Sequence, residues 1–238
     1  MRRRSAWGGL PWRRASVHGR ARIPRIYVLA GTNGAGKSSV AGAMFRARGA
    51  AYFNPDEATS QILAANPGIT LAEANSAAWG QGKRLLERAI AERLDFAFET
   101  TLGGHTIPAL LDTALSAGVE VRVWYVGLPS AALHIARVRA RVANGGHDIP
   151  EAKIRDRYDR SRVNLIHLLP RLTELRLYDN SDEADPGAGA TPEPKLLLHM
   201  VRGRVVSGCR LELTPAWARP IFAAALKSRP SGRLRLLP

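Results

Sequence analysis

Eight residues, Gly31-Thr32-Asn33-Gly34-Ala35-Gly36-Lys37-Ser38, have the types and spacing to hold a row of phosphates. They fit Gly-x-x-x-x-Gly-Lys-Ser, with an apolar strand-like run before them and a helical pattern after them. The glycines allow positive φ and leave no side chain in the way, so successive backbone N–H groups can turn toward one anion. A helix beginning near Lys37 adds the partial positive charge of its N-terminus. Lys37 is expected to reach the β- and γ-phosphates, and the Ser38 hydroxyl to ligate magnesium. The ligand that fits is ATP or GTP with Mg2+, held by the run from Gly31 to Ser39.

Two acids stand where such a ligand would react. Asp56, in Asn54-Pro55-Asp56-Glu57, follows a short strand at a turn. It is placed either to accept a proton from an attacking hydroxyl or to cap the helix that follows. Glu99 ends the run Phe96-Ala97-Phe98-Glu99, with the hydroxyls of Thr100 and Thr101 next to it. A carboxylate there can hold magnesium, directly or through water, or bind a substrate hydroxyl.

Phosphoryl transfer builds negative charge that a cation can stabilise. Arg137 and Arg141 are four apart and share a helix face, with His134 close by. On the next helix Ile154, Tyr158, Leu165 and Leu169 read as the apolar stripe, with Arg155 at its border and Arg157 pointing elsewhere. Taken singly these arginines suit a solvated face; taken together they suit a phosphate clamp. His147, in Gly145-Gly146-His147-Asp148, has no metal-ligand partner at useful spacing and reads as a turn or substrate contact.

The elements that must position these groups alternate along the chain. Strand patterns occur at 25–30, 51–53, 96–99, 119–127 and 175–179. Helical patterns occupy the intervals, two of them opened by capping-box spacings at Thr70-Leu71-Ala72-Glu73 and Asp148-Ile149-Pro150-Glu151. Alternation of this kind implies an α/β fold, a five-stranded parallel sheet flanked by helices on both faces. Ligands then bind at the carboxyl ends of the strands, where the Gly-rich loop, Asp56 and Glu99 all fall. The organisation expected is a basic, disordered arm at 1–24 and a nucleotide-binding domain at 25–182, with a helical lid at about 130–169. A flexible loop at 183–194 and a C-terminal extension at 195–238, a β-hairpin and a helix packed on the same domain, complete it.

The chain of 238 residues carries 35 basic and 20 acidic side chains, a net charge of +15. Eight of the arginines (2, 3, 4, 13, 14, 20, 22 and 25) lie in the first 25 residues, which contain no acid. The remainder is moderately basic, as suits a protein that binds small anions. The arm could attract a phosphate backbone, serve as an organelle transit peptide, or be a solvated tail. The single cysteine, Cys209, excludes a disulfide framework and a thiolate metal cluster. No apolar run approaches the roughly 20 residues that span a bilayer. A soluble, cytoplasmic protein with no membrane partner is the expectation.

In combination these segments resemble the zeta toxin family of P-loop phosphotransferases. The residues that carry the likeness are Gly31–Ser39, Asn54-Pro55-Asp56-Glu57, Phe98-Glu99-Thr100-Thr101-Leu102 and Val123-Trp124-Tyr125-Val126-Gly127-Leu128. The run Arg137…Arg141…Gly145-Gly146-His147-Asp148-Ile149-Pro150 follows, then Arg157-Tyr158, Ser161, Asn164-Leu165 and Tyr178-Asp179-Asn180-Ser181. The resemblance implies ATP-dependent phosphorylation of a nucleotide-activated sugar. In founding members this is UDP-N-acetylglucosamine, and its phosphorylation on a sugar hydroxyl blocks cell-wall synthesis. Asp56 would be the general base, Glu99 a substrate-site acid, and the lid arginines clamps on the γ-phosphate. An antitoxin protein is the macromolecular partner the family suggests. The paired lid arginines of the founding toxins do not map cleanly here, because the second falls near His147. The Asn-Pro-Asp-Glu and Gly-Gly-His-Asp segments look like a chromosomal branch whose acceptor the likeness does not fix. Two other classes compete: a small-metabolite kinase, and a nucleic-acid-associated ATPase. The second lacks the Leu-Ser-Gly-Gly-Gln-like signature and its helical insert, so nucleic acid is not the expected partner.

Overall fold

The computed structural model describes residues 23–37, 52–182, 194–228 and 235–236. The expectations for the arginine-rich arm, for Ser38, Ser39 and the helix after the Gly-rich loop, and for most of the 183–194 loop lie outside these residues.

Strand β1 (Arg25–Ala30) is central, and its apolar residues are buried on both faces, as in a strand paired on each side. It pairs in parallel with β3 (Phe96–Thr100) and β4 (Glu120–Gly127). Beyond β3 lies the two-residue β2 (Tyr52–Phe53), and beyond β4 lies β5 (Glu174–Asp179), again parallel. The sheet does not stop at five strands. β6 (Lys195–Val201) adds antiparallel to β5, β7 (Arg204–Gly208) adds antiparallel to β6, and β8 (Arg235–Leu236) runs parallel to β7. The order is β2-β3-β1-β4-β5-β6-β7-β8. The expected hairpin thus extends the main sheet, because the open edge of β5 would otherwise leave a row of unpaired backbone groups.

Helices α1 (Pro55–Ala65) and α2 (Leu71–Ala91) form a hairpin between β2 and β3. Helix α3 (Thr106–Ser116) links β3 to β4, and α4 (Ala131–Ala143) and α5 (Glu151–Leu168) link β4 to β5. Helix α6 (Arg219–Ser228) follows β7. The main core joins Ile26, Val28, Phe96, Phe98, Val121, Val123, Leu175 and Leu177 of the sheet to Leu86 of α2, Leu111 of α3, Leu165 of α5 and Phe222 of α6. Truncating a fully buried leucine such as Leu165 to alanine costs about 2–5 kcal/mol in cores of this kind. A smaller cluster of Leu29, Ala35, Ala97, Trp124 and Val126 lies apart from it. No described helix is long and apolar enough to cross a membrane.

Of the two capping boxes, the one at Thr70 forms. Its hydroxyl accepts from Glu73 N at 3.2 Å while the Glu73 carboxylate accepts from Thr70 N at 2.8 Å. The one at 148–151 does not. Helix α5 starts at Glu151 with Pro150 at the cap, so Asp148 lies too far upstream and its carboxylate accepts from the next amide, Ile149 N, at 2.8 Å. Glu151 turns instead to Arg139 and Arg155.

The inward face of α5 keeps the expected Ile154 and Leu165, with Leu169 buried just beyond the helix and Tyr158 half-buried, but it is wider than the apolar stripe. Ile154, Ser161, Leu165 and Leu168 are buried, and Arg157 lies on that side. Arg155, expected at the border of the stripe, is exposed. Part of this face packs on the loop after β3, whose carbonyls need donors. Ser161 Oγ donates to Thr101 O at 2.6 Å, and Asn164 Nδ2 donates to Leu102 O at 2.7 Å and Gly104 O at 2.9 Å. Polar residues are therefore inside for a reason that apolar counting does not register.

Candidate active site

Chain connections leave β1 toward β3 and β2 on one side and leave β4 toward β5 on the other. The crevice at the carboxyl ends of β1 and β4 is thus the switch point where ligands of such sheets bind. The Gly-rich loop lies there. Gly31 is buried at its start, and Gly34 and Gly36 have φ of 82° and 81°, a region that side chains rarely adopt. Neither has room for a Cβ. At Gly34 it would stand 2.5 Å from His134 O, and at Gly36 2.4 Å from Asn180 Nδ2. Ala35 N closes a turn on Thr32 O at 3.1 Å. Glycine at 34 and 36 thus lets the loop backbone turn and pack closely on His134 and Asn180, as suits a loop that would present its amides to phosphates.

Lys37 is buried, with Nζ 3.4 Å from Glu99 Oε1 and 3.4 Å from Thr32 O. Glu99 sits on the strand next to β1 and also accepts from Tyr52 Oη at 2.7 Å and Asn54 Nδ2 at 3.5 Å. Burial of both partners makes this pair costly to break, since either charge alone would be left in a medium of low dielectric. The hydroxyls beside Glu99 shape the loop that follows: Thr100 Oγ1 accepts from Leu102 N at 3.1 Å and Thr101 Oγ1 from Gly103 N at 3.4 Å. Leu102 is held there at a φ of 56°, strain of the kind that collects at functional loops.

Asp56 is not the cap of α1. Asn54 is: its Oδ1 accepts from Asp56 N at 2.8 Å and Glu57 N at 3.4 Å. The Asp56 carboxylate is thereby left for other partners. Arg141 Nη1 approaches Oδ2 at 3.4 Å and His147 Nε2 approaches Oδ1 at 3.5 Å. Arg141 also donates to His147 O at 3.2 Å, so α4 and the loop after it meet at this acid.

The three arginines and His147 part company. Arg141 and His147 reach Asp56, while Arg157 Nη1 donates to Asn33 Oδ1 at 2.8 Å, inside the Gly-rich loop. Burial lowers the Arg157 pKa from its ordinary value, with Asp156 and Asp56 opposing the shift. Arg137 lies on the far side of the loop, where Nη1 donates to Asn180 O at 2.9 Å and Nη2 to Asp182 O at 3.5 Å. Asn180 in turn donates from Nδ2 to Ala35 O at 2.9 Å. Arg137 thus braces the loop through Asn180 and does not join the cluster at Asp56.

Several residues of the site act through contacts that sequence spacing does not signal. His134 is buried on α4 with Nδ1 2.8 Å from Asn33 O. A carbonyl only accepts, so Nδ1 carries the hydrogen. Burial pushes its pKa down to about 4, the nearby Lys37, Arg137 and Arg162 add to this, and the bond to Asn33 opposes it. Tyr52 and Asn180 likewise act through neighbours distant in sequence, and Asn54 links the local cap of α1 to the distant Glu99.

Residues 12–185 match the family described as Zeta toxin. An uncharacterized protein of Haemophilus influenzae is 33% identical over 128 residues, which cover 54% of this chain and 88% of that protein. Among solved structures, a crystal structure of AvrRxo1-ORF1:AvrRxo1-ORF2 with sulphate ions is similar at a TM-score of 0.61 and 15% identity, covering 85% of this chain. A second crystal structure of that complex, with ATP, matches at a TM-score of 0.60 and 15% identity, again over 85% of this chain. The chain spans 64% of the length of each of those two solved chains. With the family match covering most of the sequence and a phosphate cradle, a buried lysine and two carboxylates at one crevice, the chain belongs to the zeta toxin family and is an ATP-dependent phosphotransferase of the P-loop fold.

Proposed function

We propose that the protein transfers the γ-phosphate of magnesium-ATP to a hydroxyl of a nucleotide-sugar such as UDP-N-acetylglucosamine. One observation carries the reading: two carboxylates, Asp56 and Glu99, and three cations, Lys37, Arg141 and Arg157, gather around a single glycine-lined cradle. The cradle and Lys37 hold the triphosphate. Ser38 would supply a magnesium ligand beside the Lys37–Glu99 pair, and such an ion would offset negative charge on the triphosphate.

The acceptor oxygen attacks the γ-phosphorus, the bond to the β,γ-bridging oxygen breaks, and ADP leaves. Asp56 takes the proton of the acceptor hydroxyl. Arg141 and His147 hold that carboxylate at the mouth, and Lys37 with Arg157 stabilises charge on the moving group. Glu99 and the Thr100 and Thr101 hydroxyls, whose hydrogens are available to donate, bind the acceptor. His147, on the lid loop, is a further acceptor contact. The setting is the cytoplasm, where ATP and nucleotide-sugars are made, and an antitoxin protein is the proposed partner.

The test is mass spectrometry of the purified protein with magnesium-ATP and UDP-N-acetylglucosamine, beside a parallel incubation with a metabolite extract. A phosphorylated UDP-sugar is the expected product. A new phosphorylated species from the extract alone would keep the kinase and change the acceptor, and ATP that survives both incubations intact would remove the proposal.

A further inference from the structure

Three consecutive residues of the cradle rest on the two lid helices. Thr32 Oγ1 donates to Arg157 O at 3.4 Å, Asn33 O receives His134 Nδ1 at 2.8 Å, and Gly34 packs against the His134 carbonyl and Val138. The roots of α4 and α5 are therefore joined to the loop, whatever the tip at 144–150 does. Asn33 is the residue that touches both helices, α4 through its backbone and α5 through its side chain.

The side-chain contact is of a particular kind. Arg157 is a largely buried cation, and among the described residues no carboxylate is paired with it. A neutral amide oxygen, Asn33 Oδ1, receives its Nη1 at 2.8 Å. Its stem packs closely on Gly103, where a Cβ would stand 2.7 Å from Arg157 Cγ and 2.9 Å from its Cβ, and its guanidinium end is the part that can change partner. A phosphate oxygen is the stronger acceptor for a guanidinium, since charge-assisted bonds are roughly twice as strong as neutral ones.

We propose that Asn33 is a positioning residue that holds Arg157 in reserve: its amide oxygen stands in for a γ-phosphate oxygen until the triphosphate arrives and takes the guanidinium over. This deepens the phosphotransfer reading and rests on it. The exchange makes ATP binding bear the loss of one amide–guanidinium bond, a loss that ADP, with no γ-phosphate, does not incur. Asn33 therefore sets how strongly the site distinguishes the two nucleotides, and the backbone bond from His134 survives any substitution of its side chain.

The experiment is isothermal titration of the full chain with magnesium-ATP and magnesium-ADP, for the wild type, Asn33→Ala, Asn33→Ser, Arg157→Ala and the double variant Asn33→Ala/Arg157→Ala. Asn33→Ala and Asn33→Ser are expected to move the ATP-over-ADP affinity ratio about three- to tenfold toward ATP, the worth of one such hydrogen bond. In the Arg157→Ala background the ratio no longer responds to Asn33. A purely structural role would move both affinities by one factor and leave the ratio fixed, and that result would overturn the proposal. So would a shift that persists without Arg157. A wild-type protein that binds neither nucleotide ends the phosphotransfer reading first, and this inference with it.

Discussion

Lowering the pH from 7 to 5 should destabilise this protein through one side chain, His134. The ring is 1% exposed and lies under the Gly-rich loop, hydrogen-bonded through Nδ1 to Asn33 O. Burial takes its pKa from an ordinary 6.5 down to about 4. Between these values the unfolded chain binds a proton that the folded chain refuses, so stability falls as the pH falls. The contribution is intact above about pH 6.5, and linkage over the shift gives a loss of about 2 kcal/mol by pH 5. Further acidification to pH 4 brings the loss to about 3 kcal/mol. The control is His134→Asn, whose amide nitrogen can stand where Nδ1 stands and does not titrate. Urea denaturation of both proteins from pH 7.5 to 4.5 isolates the histidine, because the other titrating groups are shared. The wild-type stability should fall relative to the variant by about 2 kcal/mol over pH 7 to 5. Two profiles that run parallel through this window would refute a neutral, buried His134.

Lys37→Met should abolish magnesium-ATP binding in a titration and, by leaving Glu99 buried without its cation, cost about 3–5 kcal/mol of stability. Adding Glu99→Gln should restore stability in urea but not binding. Asp56→Asn should leave ATP affinity nearly intact and lower turnover about 100- to 10,000-fold in a coupled ADP-release assay, and equal turnover would remove Asp56 as the base. Gly127→Ala, whose new Cβ would stand 2.3 Å from the Trp217 ring, should cost about 1–3 kcal/mol in urea denaturation.

Helix α5 shows where reading the sequence stops. Its existence and length follow from Pro150, the helical run after it and the break at Pro170. Its polar contacts do not. Counting apolar residues places Ile154, Leu165 and Leu169 inside, as they are, but points Arg157 away, whereas the folded chain turns Arg157, Ser161 and Asn164 toward the cradle and the β3 loop. The polar part of this face escapes the count because its neighbours are backbone carbonyls, which attract donors and not methyl groups. Asp56 is a milder case. Two residue types in Asn54-Pro55-Asp56 can cap a helix, and which one does so depends on where α1 begins relative to Pro55.

By itself the sequence determined the alternation of strands and helices, the Gly-rich loop between β1 and Lys37, and the placement of Glu99 and Asp56 at the carboxyl ends of strands. These follow from rules that act over a few residues: the period of the pattern, the φ that glycine permits, the reach of one hydrogen bond along a chain. Only the tertiary structure decided that Arg157 meets Asn33 while Arg137 braces Asn180, that His134 is buried under the loop, and that the C-terminal hairpin prolongs the main sheet. Arg157 and Asn33 are 124 residues apart, and His134 and Asn33 are 101 apart. Contacts over such separations are chosen by how helices pack and which buried polar groups still need a partner, and no local pattern carries that information.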